Sequence, residues 1–357
     1  MNTERKALDV DLRYVEQFFG AHDPLTKARL YFIPSYQRYY TWEVSQFGWI
    51  HRLLEDVAER LREAIEDDAV NLKTTFLGSV ILARVDSAQM NLNDFDNKPP
   101  DHIFHIVDGQ QRLTTLLLIL AAFDFEVREL YNELRNLTQG ALDKSDDELI
   151  KPLKKIIEET QSRVDDILQV KHHENVIPRI GRENSGDKFS YKPDIAIYKS
   201  QTAEFIHNYC KFKETDPPDI EQLENFDLRN KFGQILDLIK QDFSKSFKDE
   251  TDNEAFPLGK IEFPNFNQIV QSSFIEGMTI FNQDFIEKRR KLSEQKKQFP
   301  KLEIIDQISA CLCAVEYILT QTCFSQVLPA SSDDALDIFE SINSTGDPLT
   351  SLETFKP

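Results

Sequence analysis

Residues Phe104 to Leu120 read FHIVDGQQRLTTLLLIL, and this stretch decides the fold. Ile103, Phe104, Ile106 and Val107 form an apolar run that stops at Asp108-Gly109. A polar cluster follows, Gln110-Gln111-Arg112, and Leu113-Thr114-Thr115 then opens an apolar stretch of helical length. The pattern predicts a strand, a sharp turn and a helix, with the polar chemistry concentrated in the turn. Backbone amides, an arginine and hydroxyls at a helix N-terminus suit a phosphate. The chain contains no G-x-x-x-x-G-K-[ST] sequence, so the turn is not a Walker A loop.

Working outward, Ala7 to Gly20 reads as a short amphipathic helix and Leu30 to Pro34 as a strand entering the polar-aromatic string SYQRYYTWE. Phe47, Ile50, Leu53, Leu54, Val57, Leu61 and Ile65 recur at helical spacing across Val44 to Ala69. Thr74 to Ala83 predicts a buried strand in which Gly78 marks a close approach to the backbone. Asn91 to Pro100 reads as loop. Residues 1–135 are thus expected to form a compact unit of sheet and helix.

Residues 136–357 are expected to be mainly helical. Asp146 to Val170 and Ile220 to Phe243 carry helical patterns around a loop-and-strand stretch, Ile177 to Tyr198. Lys248 to Asn267 reads as irregular and Phe274 to Lys297 as a long helix. Cys323 to Leu328 predicts a strand and Asp333 to Ile342 a helix. Thr350 and Glu353 have capping-box spacing, so another helix is expected to start there, and with it a longer protein beyond Pro357. No internal repeat or low-complexity tract occurs.

At 357 residues with 40% hydrophobic residues, 26 of them Phe, the chain can build substantial cores. No run approaches the roughly 18 apolar residues of a membrane span, and the N-terminus lacks a signal-peptide pattern. The four cysteines include Cys311 and Cys313 in an apolar segment, without zinc-site spacing, which fits core thiols in a cytoplasmic protein. A net charge of -19 argues against a protein that simply coats nucleic acid. The one basic run, Glu287 to Lys301, has seven basic residues against two acids and reads equally well as a solvated helix face.

Read by residue type, Gly109 lets backbone amides approach a phosphate and Arg112 offers bidentate pairing. Thr114 and Thr115 add hydroxyls in the first helical turn. Asp108 is suited to hold magnesium through water or to orient an attacking water. The bland alternative is a glycine turn with a capping Asp and a surface Arg. In the aromatic string, Tyr36, Tyr39, Tyr40 and Trp42 supply stacking faces and Arg38 a phosphate or cation–π partner. The same residues would equally pack the following helix, with Trp42 structural. Asn343 and Gly346 in FESINSTGDPLT suit positive-φ positions, and residue type alone favours an inter-helix turn there.

Four segments together, IPSYQRYYTWE (Ile33 to Glu43), FLGSVIL (Phe76 to Leu82), IVDGQQRLTTL (Ile106 to Leu116) and IFESINSTGDPLTSLETFK (Ile338 to Lys356), resemble in order and spacing the N-terminal domain of GmrSD-type, modification-dependent restriction enzymes, the DGQQR proteins. The resemblance covers nearly the whole chain. It implies an α+β fold, a small mixed sheet with helices related to ParB and sulfiredoxin, followed by a predominantly α-helical region. It also implies nucleoside triphosphate hydrolysis with Mg2+, in anti-phage restriction, with modified phage DNA and an HNH-type nuclease domain or subunit as partners. Asp108, Gln111 and Arg112 are then the candidate catalytic residues. Gln37, Arg38, Gly109, Gln110, Thr114, Thr115, Asn343 and Gly346 are candidate nucleotide contacts, with Glu340, Asn343 and Gly346 as a second wall of the same pocket. Membranes are not expected as partners, and a homo-oligomer is left open.

His172-His173-Glu174-Asn175 invites an HNH nuclease reading, but an HNH centre needs a ββα framework with its His and Asn separated. Here four polar residues are expected to end a helix before Val176-Ile177-Pro178. Neither a Ser-His-Asp set nor a G-x-S-x-G elbow is present. The expectation is therefore a nucleotide-hydrolysing sensor whose nuclease lies elsewhere. The rival expectation is a non-hydrolysing DNA-recognition or protein-interaction module on the same fold.

Overall fold

The computed structural model describes residues 8–19, 29–34, 36–37, 40–44, 48–66, 74–85, 102–138, 144–172, 175–182, 201–212, 226–245 and 300–344. Among these residues the strands are β1 (Leu8–Tyr14), β2 (Arg29–Ile33), β3 (Thr75–Arg84), β4 (His102–Asp108), β5 (Gln169–His172), β6 (Asn175–Pro178), β7 (Ile180–Arg182) and β8 (Thr322–Pro329). The helices among these residues are α1 (Val15–Phe19), α2 (Trp49–Glu66), α3 (Gln110–Thr138), α4 (Lys144–Leu168), α5 (Gln201–Phe212), α6 (Phe226–Ile239), α7 (Pro300–Gln321) and α8 (Ser332–Ser344); α6 runs on into a π-helical turn, Lys240–Lys245.

Six strands form one mixed sheet in the order β1-β8-β3-β4-β2-β7, and β5 and β6 form a separate hairpin. The pairs β8/β3, β4/β2 and β2/β7 are parallel, whereas β1/β8 and β3/β4 are antiparallel. The chain is thus of the α+β class. The sheet draws strands from both sides of residue 135, because β7 and β8 complete it.

Strand side chains alternate between the two faces. Tyr31, Ile33, Val80, Leu82, Phe104, Ile106 and Phe324 point to one face, where they join the main core with residues of α1, α2, α3 and α7. Within that core α3 is the central element, with every residue from Leu113 to Val127 buried. Such a helix, buried on every side, belongs between a sheet and a second helical layer. On the opposite face Leu30, Phe32 and Ile103 are covered by Val170 and Ile177 of the hairpin. Ile81, Ala83, Val107 and Val327 are covered there by Ala335, Ile338 and Phe339 of α8.

A buried ion cluster ties the helical layer together. Arg163 of α4 donates to Glu16 of α1 at 2.8 Å and also pairs with Glu316 of α7. Arg179 is fully buried and donates to backbone carbonyls, Arg29 O at 2.8 Å and Ile167 O at 3.3 Å among them. It closes the C-terminal end of α4, where carbonyls lack helical partners.

Two expectations are corrected. Ala7 to Gly20 is not one helix: Leu8–Tyr14 is a strand and only Val15–Phe19 coils. The run LDVDLRY alternates apolar and charged residues with period two, which pairing with β8 uses. The residues around His172-Asn175 do not end a helix. α4 stops at Leu168, and strands flank this point because Val170 and Ile177 cover the sheet. α5 and α7 have no counterpart among the expected elements; α7 carries Cys311 and Cys313 as buried free thiols. The stretches Asn91 to Pro100, Lys248 to Asn267, Phe274 to Lys297 and the helix expected at Thr350 lie outside the described residues, as does the basic run up to Phe299. Among the described residues no helix is long and apolar enough to cross a membrane.

Candidate functional site

β2, β4 and β7 run parallel, so the chain leaves all three at one edge of the sheet. Ligands of open α/β sheets commonly bind outside such carboxyl ends. The loop after β2 carries Gln37, the turn after β4 is Asp108-Gly109-Gln110, and β7 ends on Arg182. Gly109 adopts φ +95°, a left-handed value that favours glycine, and a Cβ there would meet Val80 Cγ2 at 3.0 Å. The helix starts at once, since Leu113 N donates to Gly109 O at 3.0 Å.

Arg112, one turn into α3, folds back over the sheet. Its Nη2 donates to Asp108 Oδ2 at 3.0 Å and its Nη1 to Leu77 O at 2.8 Å. The guanidinium passes over Gly78, which takes φ +89° and whose missing Cβ would run into Arg112 Nη1. The close approach expected at Gly78 is therefore made by Arg112. Arg112 is 19% exposed and Asp108 34%, so the pair faces the site without being free in water.

The loop after β2 is fastened to this turn. Gln37 Nε2 donates to Ile106 O at 2.7 Å and Val107 O at 2.6 Å, the last carbonyls of β4 before the turn. Its Oε1 is buried and has no hydrogen-bond partner among the described residues. Thr41 N donates to Gln111 Oε1 at 3.1 Å, and the Tyr40 hydroxyl lies 2.8 Å from Thr115 Oγ1. Burial, opposed by this bond and reinforced by Glu43, pushes the Tyr40 hydroxyl up to about 12, so it stays neutral at physiological pH. Trp42 packs on Trp49 with ring centroids 4.9 Å apart, the structural place expected of it.

The structure thus brings Gln37, Asp108, Gly109, Gln111, Arg112 and Thr115 together. Gln110 and Thr114 are buried in the first turn of α3. Thr115 is fully buried with its hydroxyl against Tyr40, so it holds the loop. Glu340 and the backbone of Asn343 belong to α8, with Glu340 exposed. Arg38 and Gly346 lie outside the described residues. Among the described residues no group of three or more His, Cys, Asp or Glu gathers as a metal site.

Two contributors were not visible in the sequence. Arg182, at the end of β7, is buried and donates through Nη2 to Gln37 O. Lys231 of α6 lies 5.3 Å from the Tyr40 ring centroid and 3.2 Å from Glu43 Oε1, so the helical layer touches the loop. Neither sits in a distinctive local pattern, and their roles arise from strand order and helix packing.

The model of the GmrSD restriction endonuclease N-terminal domain matches residues 16–357, and the chain belongs to that family. This sets it within a restriction enzyme and hence a defence role. Among curated proteins none matches the chain.

Proposed function

We propose that this domain binds a nucleoside triphosphate on the Asp108–Arg112 turn and hydrolyses it, as the sensor of a modification-dependent restriction system. The observation that carries the reading is that Gln37 and the Asp108–Arg112 pair flank the carboxyl end of β4, Gln37 on the carbonyls of Ile106 and Val107 and Arg112 on Asp108 and Leu77 O, with left-handed glycines at 78 and 109. A fold alone needs no such gathering of amide, carboxylate and guanidinium at the mouth of parallel strands.

Asp108 and Arg112 hold each other, which defines a resting state. An incoming phosphate competes with Asp108 for Arg112, since both are oxygen anions that suit a guanidinium. Asp108 is then released to orient water, whose oxygen joins the terminal phosphorus as the bridging P–O bond breaks. Asp108 is also the residue that would hold Mg2+, and one carboxylate fits an ion whose remaining ligands are phosphate oxygens and water. The ion supplies charge neutralisation at the phosphates. The buried Gln37 Oε1 is an acceptor suited to a ligand hydroxyl or amine.

Occupancy would be read by the helical layer through Lys231 on Tyr40 and Glu43. It changes the state of a nuclease of HNH type only by binding its two states unequally. Modified phage DNA is the signal in this reading, and the setting is the cytoplasm.

The test is triphosphate hydrolysis by the full chain and by Asp108→Ala and Arg112→Ala variants. Loss in both supports the assignment; unchanged rates in both refute it. A second reading is favoured by one observation, that Arg112 already donates to two protein acceptors. The turn would then brace a DNA-recognition or protein-interaction module without hydrolysis. Nucleotide titration followed by thermal stability separates the two, because a ligand of the native state raises the melting temperature. A flat response favours the brace.

A further inference from the structure

We infer that β1 is a self-pairing strand, through which two copies of this chain join their sheets edge to edge. β1 is the outermost strand of the sheet beside β8, and among the described residues no strand pairs with its other edge. Residues opposite one another in a ladder share a face. Val10 lies opposite Val327, and Leu12 opposite Ser325, so Leu8, Val10 and Leu12 share the face on which α8 packs. Phe76 belongs to the same face through Cys323.

α8 packs against β3, β4 and β8 on that face, and among the described residues no element pairs along the outer edge of β1. Leu8 is 44% exposed, Val10 52%, Leu12 58% and Phe76 57%, four of the seven large exposed hydrophobics among the described residues. Exposed apolar residues gathered on a seven-residue edge strand are a template for another strand.

Charge complementarity identifies the occupant as a second copy. On its other face β1 carries Asp11 and Arg13, paired within the strand at 2.7 Å and each about a third to two-fifths exposed. Two β1 strands placed antiparallel with Leu12 opposite Leu12 set Asp11 of each copy opposite Arg13 of the other. Asp11 and Arg13 then each have an opposite charge both beside them and across from them, while Asp9 falls opposite Val15, beyond the end of the strand. On the other face Val10 meets Tyr14 of the second copy, and the two Leu12 side chains meet at the two-fold axis. A slip by two residues onto Asp11 keeps Asp9 opposite Arg13 but sets the two Asp11 side chains face to face, and a further slip onto Val10 sets Asp9 against Asp11 twice; like charges in those positions are destabilising. The net charge of -19 opposes association at low salt, so the effect is sought at physiological ionic strength.

The experiment measures the mass of the full chain by light scattering across the micromolar range. A mass of two chains is expected, falling to one in Leu12→Lys with a cooperative unfolding transition retained, since Leu12 is 58% exposed. Asp11→Arg alone and Arg13→Asp alone are each expected to be single chains, and mixing them in equal amounts to restore the two-chain mass. Leu12→Cys is expected to form a disulfide-linked dimer on mild oxidation, because facing residues in a ladder lie about 4.5–5.5 Å apart, within disulfide reach. The four native cysteines are buried, so the introduced thiol is the reporter. A single-chain mass throughout, a dimer that survives Leu12→Lys, or a dimer formed by Asp11→Arg alone each overturns the inference.

Discussion

The guanidinium of Arg112 occupies the space that a Cβ at position 78 would require. A glycine on β3 therefore decides where the arginine of α3 can lie, and Leu77 O and Asp108 hold it there. Gly78→Ala is expected to displace Arg112 and to strain a backbone at φ +89°. Such strain costs about 1–3 kcal/mol, and nucleotide-dependent stabilisation is expected to fall more than the melting temperature does. An alanine variant that keeps both the melting temperature and the nucleotide response would contradict this geometry.

Gln37 is expected to tolerate no acid. In Gln37→Glu the two donations to Ile106 O and Val107 O are replaced by a carboxylate facing two carbonyl oxygens. The cost should exceed the 1–3 kcal/mol of an unsatisfied buried group, because the new group is charged. Urea denaturation of Gln37→Glu beside Gln37→Ala gives the comparison, and the acid is expected to be the less stable of the two.

Arg182 should matter to the loop more than to the fold. Arg182→Met removes the donor to Gln37 O while keeping much of the side-chain volume. Hydrogen exchange across residues 36–44 is expected to quicken, with strands β3 and β4 unchanged. Equal exchange in both chains would mean that the loop is held by its other bonds alone.

The buried ion cluster gives the largest stability effect. Arg163→Met leaves Glu16 and Glu316 facing each other without their cation, and breaking a buried pair from one side costs about 3–5 kcal/mol. Replacing all three residues with apolar ones should recover most of that loss. Chemical denaturation of the single and triple variants measures it.

Glu126 supplies a pH dependence. Burial, opposed by Lys240 and reinforced by Glu129 and Glu133, raises its carboxyl above the ordinary 4.5. A folded-state value above the unfolded one contributes stability that is full below pH 4.5 and is lost as pH rises through the raised value. Glu126→Gln should therefore match the parent chain in acid and gain on it towards neutrality. Denaturant midpoints from pH 4 to 8, on the order of the range where carboxylates titrate, would show the gap opening.

The local plan was legible where one signal dominated. The apolar run, Asp-Gly turn and apolar helix of Phe104–Leu120 are β4, Gly109 and α3. Gly78 was marked by being a glycine inside a strand pattern, and its φ of +89° bears this out. β1 carries a period-two alternation in LDVDLRY, but VEQFF, which follows directly, is helical, and Leu8, Leu12, Val15 and Phe19 also fit helical spacing across the two. Its partner β8 begins more than 300 residues later, and no local window contains that information.

The site divides in the same way. Order in the sequence determined which residue types gather at the turn, because turn chemistry is set by neighbours along the chain: Asp108, Gly109, Gln111 and Arg112 lie within five positions. Only the tertiary structure decided that Arg112 lies on Gly78, that Gln37 grips the end of β4, and that Arg182 and Lys231 secure the loop. Those contacts depend on strand order and helix packing, which arise from burying distant apolar faces together and leave no trace in the residues beside each contact.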